Sequence, residues 1–143
     1  MSDFQDSQVA QTWTEPLPGG GSRTVRRYGY NYLERQDHYD VYYVQFTVAG
    51  DTDDLRIYYD QPIRSEHRDF WAASELWVEV DGGRELKYRK SKESNELGYA
   101  AHFHFDQDGF NTFYNNRRVR FLLRTGTSQG VDSPFQLYVD QYT

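Results

Sequence analysis

The chain has no cysteine, so it can form neither a disulfide nor a thiolate metal site. Aliphatic residues are also scarce. Apolar residues make up 37% of the chain and aromatics 17%, so a core has to be built around a few large rings. No apolar run reaches the length of a membrane-spanning helix, and no membrane partner is expected. The opening residues, Met1 to Asp6, hold neither a basic stretch nor an apolar segment, which predicts no signal peptide. Location stays open between cytoplasmic, virion-associated, and secreted with a signal removed. Lysine is nearly absent, three against thirteen arginines. The net charge of −6 argues against nucleic acid as a partner, although Arg23 to Arg27 and Arg117-Arg118-Val119-Arg120 carry clustered basic charge. There is no Gly-x-Ser-x-Gly, no phosphate loop and no cysteine nucleophile.

What the chain does have is tyrosine, thirteen in 143 residues, placed mostly in alternating runs. Tyr28, Tyr30 and Tyr32 recur at every second position, and Val41 to Val48 alternates polar with apolar. Period two marks half-buried strands. Strands are expected at Arg26 to Leu33, Tyr39 to Val48, Leu55 to Tyr59, Glu75 to Val80, Glu85 to Lys90, Tyr99 to Phe105, Arg117 to Arg124 and Phe135 to Tyr142. One or two helical turns are expected at Ser65 to Ala73, capped by Ser65. Asp81-Gly82 between two runs signals a hairpin. About eight strands and no long helix predict an all-β, antiparallel, two-layer β-sandwich or jelly roll.

The first 22 residues differ in composition. They are polar, hold one short apolar patch (Val9, Trp13) and end in Pro16-Leu17-Pro18 and Gly19-Gly20-Gly21-Ser22. This reads as a flexible arm with a hinge, residues 1–22, ahead of a single domain, residues 23–143. Such an arm would dock on a neighbouring subunit through Trp13. Gly19 to Ser22 is also the composition of an engineered join.

Alternation assigns faces. Val44, Phe46, Val48, Leu55, Ile57, Tyr59, Leu76, Val78 and Val80 fall inside. So do Ala101, Phe103, Phe105, Val119, Phe121, Leu123, Phe135, Leu137 and Val139. Arg56, Tyr58, Trp77, Glu79, His102, His104, Arg118, Arg120 and Tyr138 fall outside. Trp13, Tyr58, Trp77 and Tyr138 are the candidate binding platform, with Tyr28, Tyr30 and Tyr32 as further members. Rings with polar tips suit both glycans and protein partners.

His102-Phe103-His104 places two imidazoles on one strand face, with Asp106 following. His-x-His on a strand opens metal sites of the cupin type. The continuing spacing is missing, since Gly98 lies too close and no Glu follows. Asp106 and Asp108, beside Gly109, could offer oxygen ligands to calcium. The closing Glu of an EF-hand is absent, however, and Tyr114 stands where a third aspartate would be needed. No metal or other cofactor is therefore expected; any site would use His102, His104, Asp106 and Asp108. Three functions remain. The first is a non-enzymatic assembly or attachment component, such as a particle decoration, fibre-type or adhesion module that contacts protein or itself. The second is a carbohydrate-binding module with an exposed Tyr/Trp platform. The third is a metal-dependent enzyme centred on His102 and His104.

Overall fold

The structure, a computed structural model, describes residues 4–36, 39–62, 74–90, 98–105, 114–126 and 136–143. These residues form ten strands and no helix: β1 (Val9–Pro16), β2 (Ser22–Gly29), β3 (Asn31–Gln36), β4 (Tyr39–Thr47), β5 (Asp54–Pro62), β6 (Ser74–Val80), β7 (Gly83–Lys90), β8 (Gly98–Phe105), β9 (Arg118–Gly126) and β10 (Gln136–Tyr142). Every pairing is antiparallel. The first sheet runs β1-β2-β10-β5-β8 and the second β3-β4-β9-β6-β7. Without the edge strands β1 and β3, the remaining eight have the order β2-β10-β5-β8 against β4-β9-β6-β7. The chain shuttles between the two sheets except at the β6–β7 hairpin. This is the doubled Greek key of a jelly roll.

The core is the inward parity of both sheets. Phe46, Phe121, Leu55, Ile57, Leu76 and Leu123 are its largest fully buried apolar side chains, and each contributes roughly 1.5–3 kcal/mol by burial. Tyr28 of β2 lies flat on Phe46 of β4, centroids 4.0 Å apart and planes 4° apart, so one ring from each sheet meets at the centre. Gln141 also faces inward and is almost completely buried. Its Oε1 accepts from the Ala49 N–H at 2.8 Å and the Thr52 hydroxyl at 3.0 Å, tying the β4–β5 turn to β10. At the β6–β7 turn, Asp81 and Gly82 both have positive φ, 49° and 87°. That is the twist a two-residue hairpin requires, as the Asp-Gly pair predicts.

The inward and outward parities expected from alternation hold for the residues whose burial is described. The run from Arg26 to Leu33, expected as one strand, is two. β2 belongs to the first sheet and β3 to the second, and the chain crosses at Gly29-Tyr30, where the Gly29 N–H donates to the Gln8 carbonyl at 2.9 Å. The alternation continues through the crossing because Tyr30 and Tyr32 both pack edge-on against Tyr42, at 5.5 and 5.4 Å. Tyr42 itself leans on the core. Tyr28 is thus a core residue rather than a platform one. The helical turns expected at Ser65 to Ala73 lie outside the described residues.

The segment expected to be a free arm is largely woven into the sandwich. Val9–Pro16 is β1, the edge partner of β2, with Trp13 opposite Val25. The glycine run is a tight turn: the Gly20 N–H donates to the Leu17 carbonyl, the Leu17 N–H donates to the Gly21 carbonyl, and Gly20 and Gly21 take positive φ. Ahead of β1, residues 5–7 continue the β4 edge beyond the end of β3. The Ser7 N–H donates to the Gln45 carbonyl and the Gln45 N–H to Ser7 Oγ. Gln45 Nε2 donates to the Gln5 carbonyl, and the Thr47 N–H to Asp6 Oδ1. Polar, glycine-rich composition suits an edge strand and its turn as well as a linker.

Two outcomes follow. Removing residues 1–8 should lower stability by roughly 2–4 kcal/mol, at about 1 kcal/mol for each lost hydrogen bond, measured by urea denaturation. An unchanged midpoint would mean that the strap is unattached. The second concerns alkaline stability. Burial, then Asp40, pushes the Tyr42 phenol up to about 12, above its value in the unfolded chain. Its contribution is complete below about pH 10. It is lost as pH rises towards 12. Tyr42→Phe should flatten the fall of the urea midpoint over that window relative to the parent.

Candidate functional site

Residues paired across antiparallel strands share a face, so the register of the first sheet lays out its outer surface in rows. One row reads Trp13, Val25, Tyr142, Asp54. The next reads Gln11, Arg27, Asp140, Arg56. A third reads Gly29, Tyr138, Tyr58. Three of the four sequence-predicted platform residues, Trp13, Tyr58 and Tyr138, fall on this face.

The contacts make a ladder across four strands. The Arg27 guanidinium lies over the Tyr138 ring at 3.7 Å and over Trp13 at 5.0 Å. Tyr138 stacks on Tyr58 at 5.1 Å with planes 29° apart. Because β2 and β5 flank β10, Arg27 and Tyr58 occupy opposite sides of Tyr138. The order is Trp13, Arg27, Tyr138, Tyr58. Arg27 is anchored from below, its Nε and Nη2 donating to the two carboxylate oxygens of Asp140 at 2.8 and 2.9 Å. A neighbouring cluster repeats the chemistry. Arg23 and Arg56 each lie 4.3 Å from the centre of the Tyr142 ring. Arg56 Nε donates to Asp54 Oδ2 at 2.8 Å, Arg23 pairs with Glu15 at 3.5 Å, and Trp13 Nε1 donates to Glu15 Oε1 at 3.2 Å. Val25 faces outward yet is fully covered, so this lattice shields apolar surface as well as charge.

Electrostatics fix the protonation states. The hydrogen bond to Asp140 raises Arg27 above its ordinary value. Burial pulls Arg56 down, but the hydrogen bond to Asp54 and the nearby Tyr142 and Asp54 outweigh it, and Arg56 too is raised. Burial pushes the Tyr142 phenol up. Both guanidiniums therefore stay charged and the phenol stays neutral through the physiological range. The surface offers ring edges, phenol hydroxyls and guanidinium N–H groups, while the carboxylates of Asp140 and Asp54 sit beneath.

Trp77 is elsewhere. It lies on β6 opposite Leu122, on the outer face of the second sheet, and does not join Trp13, Tyr58 and Tyr138. That face carries its own lattice: Arg120 over Tyr43 at 5.4 Å, Arg120 Nε donating to Gln45 Oε1, and Arg124 paired with Glu75. His102 and His104 take register positions opposite Tyr58 and Arg56. Asp106 and Asp108 lie outside the described residues. Among the described residues, no three His, Cys, Asp or Glu gather in a metal-binding arrangement. An open polar groove of about 360 Å³ on the second-sheet side is lined by Gln5, Ser7, Asn31, Tyr43 and Gln45, and several of these hydrogen-bond one another.

Sequence reasoning missed Arg27, Arg23, Tyr142, Asp140 and Asp54. A surplus of arginine suits stacking on rings and pairing with carboxylates, but Arg27 and Asp140 are 113 positions apart, and only the register joins them. No protein-family model matches the chain, and no curated protein matches it either. Among solved structures the chain is similar to a xylan-binding module, CBM15, with 8% sequence identity and a TM-score of 0.40 over 96% of this chain and 87% of that chain.

Arg27→Ala should cost roughly 1–3 kcal/mol, because it strips a largely buried carboxylate of its charged hydrogen-bond donor. Arg27→Ala combined with Asp140→Ala should recover part of that loss. Thermal melts of the singles and the double would reveal the coupling, and strict additivity would mean that the pair is decorative.

Proposed function

We propose that the protein is a non-catalytic carbohydrate-binding module whose ligand lies across the outer face of the first sheet. The observation that carries this reading is the ladder of Trp13, Arg27, Tyr138 and Tyr58. It runs over four strands, a span of about 14 Å at the usual strand spacing, which suits an extended oligosaccharide. Sugars present apolar C–H patches beside hydroxyls, and a surface of ring edges interleaved with hydrogen-bond donors matches both. The side chains are held by ion pairs and stacking, so little rotamer freedom remains to be lost on binding. Tyr138, flanked by Arg27 and Tyr58, contributes its edge and hydroxyl. Trp13, at the edge strand, has a partner on one side in Arg27.

The assembly reading drew on an arm anchored by Trp13, the missing catalytic motifs, the Tyr- and Arg-rich surface and the all-β pattern. With residues 9–16 forming β1 and Trp13 stacked on Arg27 of the same chain, the arm no longer favours it. One observation still favours a protein contact: Tyr30, Tyr32 and Leu33 are 42%, 53% and 43% exposed on or beside the edge strand β3. Tyr32→Ala lowering the mass in solution would favour assembly through that edge.

The decisive experiment is a glycan panel followed by calorimetry. A ligand should be found, and Tyr138→Ala should weaken it roughly tenfold, about 1.4 kcal/mol, while Trp77→Ala on the opposite face leaves it unchanged. Loss of binding on Trp77→Ala with Tyr138→Ala silent would move the site to the second sheet. A panel with no ligand would remove the carbohydrate reading altogether.

A further inference from the structure

We propose that the ligand of this face is an uncharged oligosaccharide, and that Glu15, Asp54 and Asp140 are positioning residues that keep the face electrically neutral. This rests on the carbohydrate-binding reading above. Three guanidiniums alone would suit an acidic glycan, but each is matched within the lattice: Arg27 by Asp140, Arg56 by Asp54 and Arg23 by Glu15. Within this lattice three positive groups face three negative ones and cancel.

The vertical arrangement matters as much as the count. The side chains of Asp140 and Asp54 are only 7% and 6% exposed, whereas those of Arg27 and Arg56 are 28% and 37% exposed. Charge is cancelled from beneath while N–H groups are left towards solvent. Arg27 commits Nε and Nη2 to Asp140, and its Nη1 carries two further N–H donors. Arg56 commits Nε to Asp54, and its two Nη groups carry four. Such donors, backed by buried carboxylates, suit hydroxyl and ring oxygens. A sulfated or uronic-acid polymer would meet no excess positive charge here, and would meet a chain whose overall charge is −6.

The test uses the full chain at about pH 8, where histidines are neutral. Calorimetric titration is run with short neutral β-linked oligosaccharides of xylose, glucose and mannose, and with polygalacturonate and heparin as anionic probes. Each is measured at about 0.01 M and 0.15 M salt, between which long-range charge attraction is screened. The expected result is binding to a neutral probe with a Kd that changes less than about twofold with salt, and none to the anionic probes. Asp140→Asn and Glu15→Gln keep the side-chain shape and remove one negative charge each. Both should create heparin affinity that is about tenfold weaker at the higher salt, a gain that a merely structural role would not produce. Glu15 is the more exposed of the two, so its variant keeps the test alive if Asp140→Asn does not fold.

Parent protein that binds polygalacturonate or heparin in a salt-sensitive way, and no neutral probe, would overturn this inference and leave the carbohydrate reading standing. Variants that gain nothing on heparin would overturn the neutralising role of the carboxylates. Absence of binding to every probe would overturn the carbohydrate reading itself, and this inference with it.

Discussion

The contact between Tyr28 and Phe46 fixes the rest of the structure. It joins the two sheets one residue before the chain crosses from one to the other, and it commits Tyr28 to the interior. In a pleated strand that commitment decides every neighbour. Val25, Arg27 and Gly29 must face outward, and Arg26 falls on the inward parity near the margin. A slip of one residue would bury Arg27 and expose Tyr28. The outer lattice thus depends on an inner stack: Arg27 reaches Asp140, Tyr138 and Trp13 because Tyr28 has claimed the core.

The outer faces show why arginine is used where lysine is not. An aromatic-rich sheet leaves large rings on its solvent side, and these rings need partners. A guanidinium is planar and can lie on a ring while its edge pairs with a carboxylate. Arg27 does both, on Tyr138 and with Asp140. Arg56 repeats the pattern on Tyr142 and with Asp54, and Arg120 lies over Tyr43 while donating to Gln45 on the other sheet. A lysine ammonium offers one compact charge and could not serve two such partners in one geometry. Exposed ion pairs stabilise little alone, but Asp140 and Asp54 are covered, so removing either guanidinium would leave a buried charge behind.

Much of the fold was legible in the sequence because period two is strict here. The inward set from Val44 to Val48 and the outward set of Arg56, Tyr58, Glu79 and Tyr138 stand where alternation puts them. Asp81-Gly82 turns where the dipeptide requires. Legibility failed where one composition suits two structures. Val9 to Gly21, polar and glycine-rich, serves an edge strand and tight turn as readily as an arm. Tyr28 to Tyr32 reads as one strand because the tyrosine parity survives the sheet crossing, with Tyr30 and Tyr32 resting on Tyr42. The site was half legible. Tyr58 and Tyr138 were singled out as rings on outward positions and Trp13 as the anchor of an arm, yet only strand order shows that they share a face and that Trp77 does not. The pairing of Arg27 with Asp140 is a property of register between distant strands and leaves no local mark.

A self-satisfied face changes what binding can mean. Each guanidinium and carboxylate in the lattice already has a partner, so the sheet needs no ligand to fold and keeps its shape without one. Under the carbohydrate reading proposed above, binding energy would come from groups outside these pairs: the remaining N–H groups of Arg27 and Arg56, the Tyr138 hydroxyl and the ring edges. Each is modest, and a ligand gains by touching several at once, which favours an extended molecule laid across the strands over a compact one. On the proposed reading, a neutral, donor-rich surface would select by the spacing of oxygen atoms along a chain, and the strand order β1-β2-β10-β5 would set that spacing.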